Sequence, residues 1–435
     1  MTTARSAARD RSEPAGGTGK YQEKREAILV AAAQEFNQHG IRGATLAGVA
    51  GRVGLLKASV NYYYRRKEDL AADAMLRSVH SMQQLVLSAL QAEQPADQVR
   101  AFLRGQAAML ADEAAGRRSA GVLFNEIRAL AAPQGPPVVD AYSGLFRSIR
   151  QMFSSPGAFD RSERNARALL LLSLVNAMRG WISRFEPDDY LRAADHLGDM
   201  VIGGLARHAC EWSDAAGPED EWPLQVLGEH ATREAFLRAA TRLINDQGYR
   251  GASVDRICAK LNLTKGSFYH HHASKNDLVA LCFERSFDVI RKTQMLAIDH
   301  LDSGWDRLSG CARALVRFQL CEQGPLLRAT ARSALAEAQR GLTMQHLDQL
   351  TERFGLFIID GMNQGRFRAV DASIAARQVA AMINAASELT WWVPGVGQDN
   401  AVRLYVRPLF VGILARAAPA DGRVGVDLTP ASTVP

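Results

Sequence analysis

The 435-residue sequence contains no apolar run long enough to cross a membrane. Its longest apolar stretch, residues 169–175, is interrupted by Ser173 and falls far short of the roughly 20 residues that a transmembrane helix needs. Residues 1–20 are rich in Ala, Arg, Ser and Gly and lack the apolar centre of a signal peptide. We therefore expect a buried helix over 169–175, a disordered basic arm over 1–20, no membrane partner and a cytoplasmic location.

Cysteine is scarce, and the cysteines are widely separated. The five of them form no C-x-x-C pair. This pattern favours reduced structural thiols over a disulfide framework or a zinc site, and an oxidation sensor is the less favoured alternative. The residues concerned are Cys210, Cys258, Cys282, Cys311 and Cys321.

The sequence also lacks the short signatures of common catalytic sites. It contains no H-E-x-x-H, G-x-S-x-G, P-loop or G-x-G-x-x-G pattern in a suitable context. A histidine run at 270–272 could bind a metal, but successive helical residues point about 100° apart and do not converge on one ion. We expect no enzyme activity, no cofactor and no metal, and we keep a metal or thiol enzyme only as an unfavoured alternative.

Positive charge is concentrated in two short segments. Residues 21–70 carry eight Lys and Arg against five Asp and Glu, and residues 230–278 carry eight against four. With the basic arm they carry a charge of +9, which exceeds the net charge of +6, so the rest of the chain is slightly acidic. Two such segments suit a polyanion such as the phosphate backbone of DNA, although solvated helix faces are the alternative explanation.

The same two segments belong to an internal repeat at an offset of 208 residues. More than a third of the aligned positions are identical between residues 25–70 and 233–278. The ends agree too, because GGLAR at 203–207 parallels GILAR at 412–416 at an offset of 209. A unit of about 200 residues is therefore duplicated. The matching segments include REA at 25–27 and 233–235, RGA at 42–44 and 250–252, and K-x-D-L at 67–70 and 275–278.

Composition between and beyond the copies indicates the domain limits. Asp, Glu, Gly and Pro are frequent in residues 211–229, which predicts a linker, and residues 418–435 predict a disordered tail. Elsewhere apolar residues recur at helical spacing, without alternation over the length of a strand. We expect an all-α chain with two heads, residues 21–70 and 230–278, and two helical bodies, residues 71–210 and 279–417.

Each head has the pattern of a helix-turn-helix. An amphipathic first helix is ended by a glycine, which readily adopts the left-handed conformation there. A hydroxyl side chain then caps a short second helix, and a third short helix follows with the proportions of one that enters the major groove. In the first and second heads these features are helices 22–39 and 232–247, Gly40 and Gly248, Thr45 and Ser253, and helices 56–63 and 264–271.

The third helix and its continuation carry a family resemblance. The second copy reads LTKGSFYHHHASKNDL over residues 263–278, and the first reads LLKASVNYYYRRKEDL over residues 55–70. Both resemble the tetracycline-repressor (TetR) family of bacterial transcriptional regulators; beyond the heads the likeness is in length and helical character only. The resemblance implies two TetR-like units fused into an intramolecular pseudo-dimer, with higher oligomers left open, and an operator in double-stranded DNA as the partner.

The first head departs from the family pattern in its second and third helices. Leu56 replaces the N-cap Ser or Thr of the third helix, whose loss typically costs about 1 kcal/mol. Asn61 stands at a usually aromatic position, and Gly48 and Gly51 each cost roughly 1 kcal/mol relative to Ala inside a helix. We expect this head to be looser or to read different bases.

The resemblance and the side-chain chemistry together assign DNA contacts. Lysine and serine at the start of the third helix suit base edges or nearby phosphates, and the aromatic residues at its end suit phosphates and thymine methyl groups. Hydroxyls and amines at helix N-termini suit phosphates. Thr45 and Ser253 are also helix caps with or without DNA, and Val60 and Phe268 are expected in the core. The assigned residues are Thr45, Lys57, Ser59, Tyr62, Tyr63 and Lys67 in the first head, and Ser253, Thr264, Lys265, Ser267, Tyr269, His270, His271 and Lys275 in the second.

The resemblance further implies that the bodies bind a small effector and pair through their last two helices. Pairing would use helices 161–185 and 188–210 with helices 371–392 and 400–417, and would hold the heads at grooves about 34–36 Å apart. The expected regulator is a repressor that a small, partly apolar effector releases; a DNA-binding architectural or protein-docking module without an effector is the alternative. Large or polar residues that could line the effector pocket, or equally pack in the core, are Phe124, Asn125, Phe153, Trp181, Trp305, Phe318, Arg328, Trp391 and Trp392.

Overall fold

The computed structural model describes residues 19–124, 127, 130–155, 157–208, 212–215, 217–226, 231–261 and 275–416. Within these ranges the regular structure is helical and no β-strand forms, although an isolated bridge joins Ala206 to Phe367. The predicted all-α fold is therefore confirmed. None of the helices in this part of the chain is long and apolar enough to span a membrane.

The described residues of the first unit form three short head helices joined to a helical body through a long fourth helix. The helices are α1 (Gly19–Gly43), α2 (Leu46–Arg52), α3 (Lys57–Tyr63), α4 (Lys67–Ala89), α5 (Pro95–Ala114), α6 (Gly135–Gln151), α7 (Arg161–Trp181) and α8 (Tyr190–Gly203). α1 is broken at Gly40, whose φ is 68°, as its glycine predicts.

The second unit repeats this order. Its described helices are α9 (Ala231–Gly251), α10 (Val254–Lys260), α11 (Lys275–His300), α12 (Gly304–Leu320), α13 (Glu337–Asn363), α14 (Ala372–Ala385) and α15 (Leu389–Trp392), and the carboxy-terminal helix, residues 398–411, contains a π-helical turn at Val402–Val406. α9 is broken at Gly248, whose φ is 71°. A 3-10 helix, Ala329–Ala334, lies between α12 and α13.

α7 is the central helix of the first body. Asp160 caps it by accepting a hydrogen bond from Glu163 N at 2.8 Å, and the Glu163 side chain accepts one from Asp160 N at 2.9 Å. The predicted buried stretch lies in this helix, and its leucines and Val175 are buried. A helix that is apolar around most of its circumference must be covered on several sides.

The second unit supplies part of that cover, since α7 packs against α14 and the carboxy-terminal helix. Arg167 on α7 is only 1% exposed and donates hydrogen bonds to Ile413 O at 2.9 Å and Ala415 O at 3.0 Å. Asn165 donates to Trp392 O at 2.8 Å. The two units therefore pair within one chain, through the helices that the sequence indicated.

The main chains of the two units approach each other closely at a pair of glycines. Gly204 and Gly412 end α8 and the carboxy-terminal helix with φ of 74° and 107°, and a Cβ on Gly204 would lie 2.5 Å from Gly412 N. Leu205 N donates to Phe410 O at 2.8 Å, and Ile413 N donates to Val201 O at 2.9 Å. Because these two bonds are nearly reciprocal, Gly204 and Gly412 occupy corresponding positions in the two units. Their residue numbers differ by 208, the offset that also relates the two heads.

The segment between the units is packed where it is described. Pro218–Val226 forms a 3-10 helix against α11 and α12. Glu219 pairs with Arg313 and Asp220 with Arg317, both arginines lying on α12. The predicted linker therefore includes a stretch fixed to the second body.

Candidate nucleic-acid interface and ligand cavity

The two short helices of the first head begin differently. Thr45 caps α2 because its Oγ1 accepts a hydrogen bond from Gly48 N at 2.9 Å, and the Thr45 side chain remains exposed. Leu56 stands at the N-cap of α3 without a side-chain hydrogen bond and is 78% exposed. As the sequence indicated, no side chain caps the start of α3.

The outer face of α3 is formed by residues at helical spacing. Lys57, Asn61 and Tyr62 are exposed, and the Tyr62 side chain is 76% exposed. Val60 on the opposite face is fully buried, as expected for a core residue. Three other residues assigned to DNA contacts are half-buried: Ser59, Tyr63 and Lys67. α3 thus presents a lysine at its start and an aromatic ring at its end.

An aromatic cluster joins the beginning of α1 to the end of α3. The Tyr21 ring lies 4.8 Å from the Tyr63 ring and 6.3 Å from the Tyr62 ring, centroid to centroid. Tyr21 was missed from the sequence because it precedes the helix-turn-helix pattern. Exposed basic side chains of this head are Lys20, Lys24, Lys57, Arg65 and Arg66.

Gly48 has a packing role that its helix propensity does not show. The carboxyl group of Glu35 is almost buried and accepts a hydrogen bond from Arg52 Nε at 2.8 Å. A Cβ at position 48 would overlap Glu35 Oε1, so a larger residue would require the Glu35 carboxyl group to shift. Glycine at position 48 lowers the helix propensity of α2, but it allows the Glu35 carboxyl group to lie against the helix. Nothing lies near the Cβ position of Gly51.

A half-buried carboxylate fixes α1 to α4. Asp73 Oδ2 accepts hydrogen bonds from Arg25 Nη2 at 2.5 Å and from Tyr64 Oη at 2.9 Å. Burial and the nearby Asp73 carboxylate raise the pKa of Tyr64, so its hydroxyl stays a hydrogen-bond donor. Tyr64 is thus a support of the head, although its two neighbours in the tyrosine run face the surface.

The second head is described only up to Leu261 and again from α11. Ser253 caps α10 by accepting a hydrogen bond from Arg256 N at 3.2 Å. The remaining assigned residues lie outside the described residues or, for Lys275, have no described side chain; they are Thr264, Lys265, Ser267, Tyr269, His270, His271 and Lys275. Phe268 also lies outside them.

Asn37 ties the first head to a loop of its body, and Ser78 of the body holds the same loop. Asn37 on α1 donates to Gly121 O and accepts from Leu123 N, both at 2.9 Å. Ser78 on α4 accepts from Val122 N at 2.8 Å. These bonds satisfy consecutive main-chain groups of one loop, so α1 and the loop must move together. We call this set the head–body clamp.

The second unit has the same clamp. Asn245 donates to Leu326 O at 2.9 Å and accepts from Arg328 N at 3.0 Å. Ser286 accepts from Leu327 N at 2.8 Å. The clamped loops correspond at an offset of 205 residues, which aligns residues 121–123 with residues 326–328.

A cavity of about 710 Å³ lies next to both clamps and is lined by residues of both units. Arg328 lines it and is held by Ser387 Oγ at 3.1 Å and Glu388 at 3.2 Å. Five residues assigned to an effector pocket from the sequence line the cavity: Phe124, Trp181, Arg328, Trp391 and Trp392.

Three others do not line it. Phe153, Trp305 and Phe318 are buried in the packing of the bodies, and the Trp305 ring lies 5.1 Å from the Phe367 ring. Asn125 lies outside the described residues. Large apolar residues on a helix have the same sequence pattern whether they face a core or a cavity.

Metal and thiol groups are not gathered into a site in the described parts of the chain. No group of three His, Cys, Asp or Glu there could hold a metal ion. The described cysteines are free, and burial raises the pKa of Cys282 to about 12. Burial also raises the pKa of Cys311, so both thiols stay protonated near neutral pH.

Comparison with known proteins identifies the two heads and one body. The family "Bacterial regulatory proteins, tetR family" matches residues 28–74 and 236–282, and "Tetracyclin repressor-like, C-terminal domain" matches residues 301–397. The Transposon Tn10 TetC protein of Escherichia coli is 32% identical over 78 residues, which are 18% of this chain and 39% of that protein. The match therefore spans about two fifths of that relative's length.

Two solved structures each resemble part of the chain. The TetR family transcriptional regulator PfmR from Thermus thermophilus shares 25% identity, with 41% of this chain and 97% of that chain covered and a TM-score of 0.35. AibR in complex with isovaleryl coenzyme A and operator DNA shares 20% identity, with the same coverage and a TM-score of 0.34. The chain therefore carries the amino-terminal domain of tetR-family regulatory proteins twice in tandem, followed in the second unit by a tetracycline-repressor-like carboxy-terminal domain.

Proposed function

We propose that the chain is a sequence-specific transcriptional regulator that presents two unlike heads to one operator in double-stranded DNA. The proposal rests chiefly on the pairing of α7 with α14 and the carboxy-terminal helix, since this pairing joins both heads in one molecule. The proposed heads are residues 21–70 and 230–278, the bodies are residues 71–210 and 279–417, and residues 211–229 join them.

The first head supports a defined DNA contact. Lys57 is exposed at the start of α3 and suits a base edge or phosphate, and Tyr62 is exposed at its end. Thr45 offers a hydroxyl beside the free N–H groups at the start of α2. In the second head we assign the same roles to Ser253, Lys265 and the residues that follow.

Release by a small molecule is the proposed form of control, with the regulator acting as a repressor. The cavity lies beside α1, α9 and both clamped loops, so a molecule bound there would contact the structures that orient the heads. Binding shifts the head separation only by as much as it favours one arrangement over the other. An architectural DNA-binding module would show no such release.

The first test is sedimentation of the full chain with a labelled duplex that the chain itself has selected from random-sequence DNA. We expect one chain per duplex and at least tenfold weaker binding for Lys57→Glu. Lys292→Glu is the matched control, because Lys292 is exposed on α11 of the second body and carries the same charge change. Two chains per duplex would contradict pairing within the chain, and failure to select any duplex would contradict DNA binding.

A further inference from the structure

Five arginines line the cavity, and they differ in their partners. Three of them are neutralised by carboxylates. Arg179 pairs with Glu113 on α5, Arg328 pairs with Glu388, and Arg377 pairs with Asp348 and Glu352 on α13. A guanidinium group held in this way has little remaining attraction for a ligand.

The other two, Arg332 and Arg340, form no ion pair with any described residue. Arg332 Nη1 donates to Ala329 O at 3.3 Å, and Arg340 Nη2 donates to Leu335 O at 3.1 Å. Arg340 Nε is buried and finds no hydrogen-bond partner within the described ranges. Charges that are partly removed from water are normally paired, so this arrangement leaves an unmet demand for an anion.

The two guanidinium groups also act on each other. Burial, and then the positive charge of Arg340, lower the pKa of Arg332. Among the described residues, the carboxylates that line the cavity are those of Glu388 and Asp246. Glu388 is held by Arg328, and Asp246 is exposed on α9 without an ion pair to either of these two arginines.

The first unit lacks this pair of charges. In the register set by the clamps, Ile127 corresponds to Arg332 and Gly135 corresponds to Arg340. A Cβ at Gly135 would overlap Leu130 O, so no side chain fits there. Among the described residues that line the cavity, the two arginines without a carboxylate partner therefore both belong to the second unit.

The second unit also contributes large apolar side chains to the cavity. Phe287 on α11 and Met344, Leu347 and Phe354 on α13 line it. A ligand that satisfied both parts would carry one anionic group and an apolar portion. Two adjacent guanidinium groups suit a carboxylate or a phosphate, because both accept several charge-assisted hydrogen bonds.

We propose that the cavity binds an organic anion, a carboxylate or phosphate ester on an apolar group, whose charged end is held by Arg332 and Arg340. This inference rests on the proposed ligand control and specifies its chemistry. Arg332 lies in Ala329–Ala334, which contacts α1 of the first head and α9 of the second. An anion at this place would therefore act on both heads through one short segment.

The test is calorimetric titration of the full chain with octanoate, octyl phosphate and 1-octanol. We expect at least one of the two anions to bind at least tenfold more tightly than the alcohol. The anion that binds more tightly shows whether the cavity prefers a carboxylate or a phosphate group. Arg332→Gln with Arg340→Gln should weaken that anion at least tenfold and leave the alcohol unchanged. Arg353→Gln is the control, because Arg353 lies on α13 outside this cavity.

Thermal melting establishes that the variants fold, and Arg332→Lys, which keeps the charge, should retain part of the binding. Equal binding of anion and alcohol, binding unaffected by the double substitution, or no binding of either anion would overturn the inference. DNA binding is measured separately by gel shift. Arginine-dependent anion binding without DNA release would support the site and contradict the proposed ligand control.

Discussion

The two units keep the same contacts between head and body and differ in the contacts that face the cavity. Asn37 and Asn245 hold corresponding loops with corresponding hydrogen bonds. The register of those same loops then aligns Ile127 with Arg332. Fusion explains how both patterns coexist, because a symmetric dimer would have to change both subunits at once, whereas a fused chain can change one.

The pairing of the units shows a similar contrast. Asp160 and Asp371 cap α7 and α14. When the two helices are aligned at these caps, Gln378 is the residue of α14 that corresponds to Arg167 of α7. Arg167 reaches main-chain oxygens of the other unit. Gln378 is fully buried, and both polar atoms of its amide lack partners in the described residues. One side of the interface therefore carries the polar anchor and the other does not.

The largest expected loss of stability is at Gly204 and Gly412, which occupy corresponding positions in the two units. Gly204→Ala and Gly412→Ala should each lower the free energy of unfolding by about 4 kcal/mol, because each adds left-handed strain and a main-chain overlap. Denaturant unfolding of the full chain measures this loss. Gly180→Ala is the control, since nothing lies near its Cβ position, and it should be neutral or stabilising. A small loss at either glycine would show that the units do not meet there.

The next effect separates the two sides of the pairing interface. Arg167→Met should cost about 3 kcal/mol, because it removes the donor from the buried Ile413 carbonyl and from the half-buried Ala415 carbonyl. Gln378→Leu removes an amide without partners and should be neutral or stabilise by about 1 kcal/mol. Chemical unfolding of both variants gives the comparison. Equal losses would mean that the anchor is shared rather than one-sided.

Loss of either clamp should lower the free energy of unfolding by the same amount, but the two losses should differ in their effect on the response of DNA binding to a ligand. Asn37→Ala and Asn245→Ala each lose two hydrogen bonds, at a cost of about 2 kcal/mol in the free energy of unfolding. Asn245→Ala should also reduce the effect of a bound anion on DNA affinity more than Asn37→Ala does, because its loop leads into the Arg332 segment. Gel shifts with and without octyl phosphate measure the second effect, and equal reduction by both variants would contradict the assignment to one unit.

The smallest effect concerns the unlike starts of the two short head helices. Leu56→Thr supplies the missing N-cap of α3 and should stabilise the first head by about 1 kcal/mol, whereas Thr45→Ala should destabilise α2 by a similar amount. Hydrogen exchange of the α3 amides reports the local gain. Unchanged exchange in Leu56→Thr would indicate that the exposed leucine is not limiting the helix.

Much of the framework followed from local sequence signals. The repeat located both heads, glycines marked the ends of the first helices, and hydroxyls at Thr45 and Ser253 marked caps that the structure contains. These signals depend on residues close together in the chain. The helices that pair the units were also placed near their observed positions, because their apolar periodicity is strong.

Contacts between distant segments could not be derived in the same way. Asn37 and the loop it holds are more than 80 residues apart, and the value of Gly48 depends on a carboxyl group from another helix. Trp305 and Trp391 are both aromatic residues of helical segments, yet one is core and the other lines the cavity. Such distinctions arise only when the helices are assembled.

The segment Pro218–Val226, fixed to α12 by Glu219 and Asp220, has a consequence for the cell. Tethered partners meet at an effective concentration on the order of millimolar, whatever the number of molecules present. Pairing of the two units in the proposed regulator would therefore not depend on its concentration in the cell, and pairing with halves of related proteins would be disfavoured. Substitutions in one half would then not be present in both halves of the paired structure, as they would be in a dimer of identical chains.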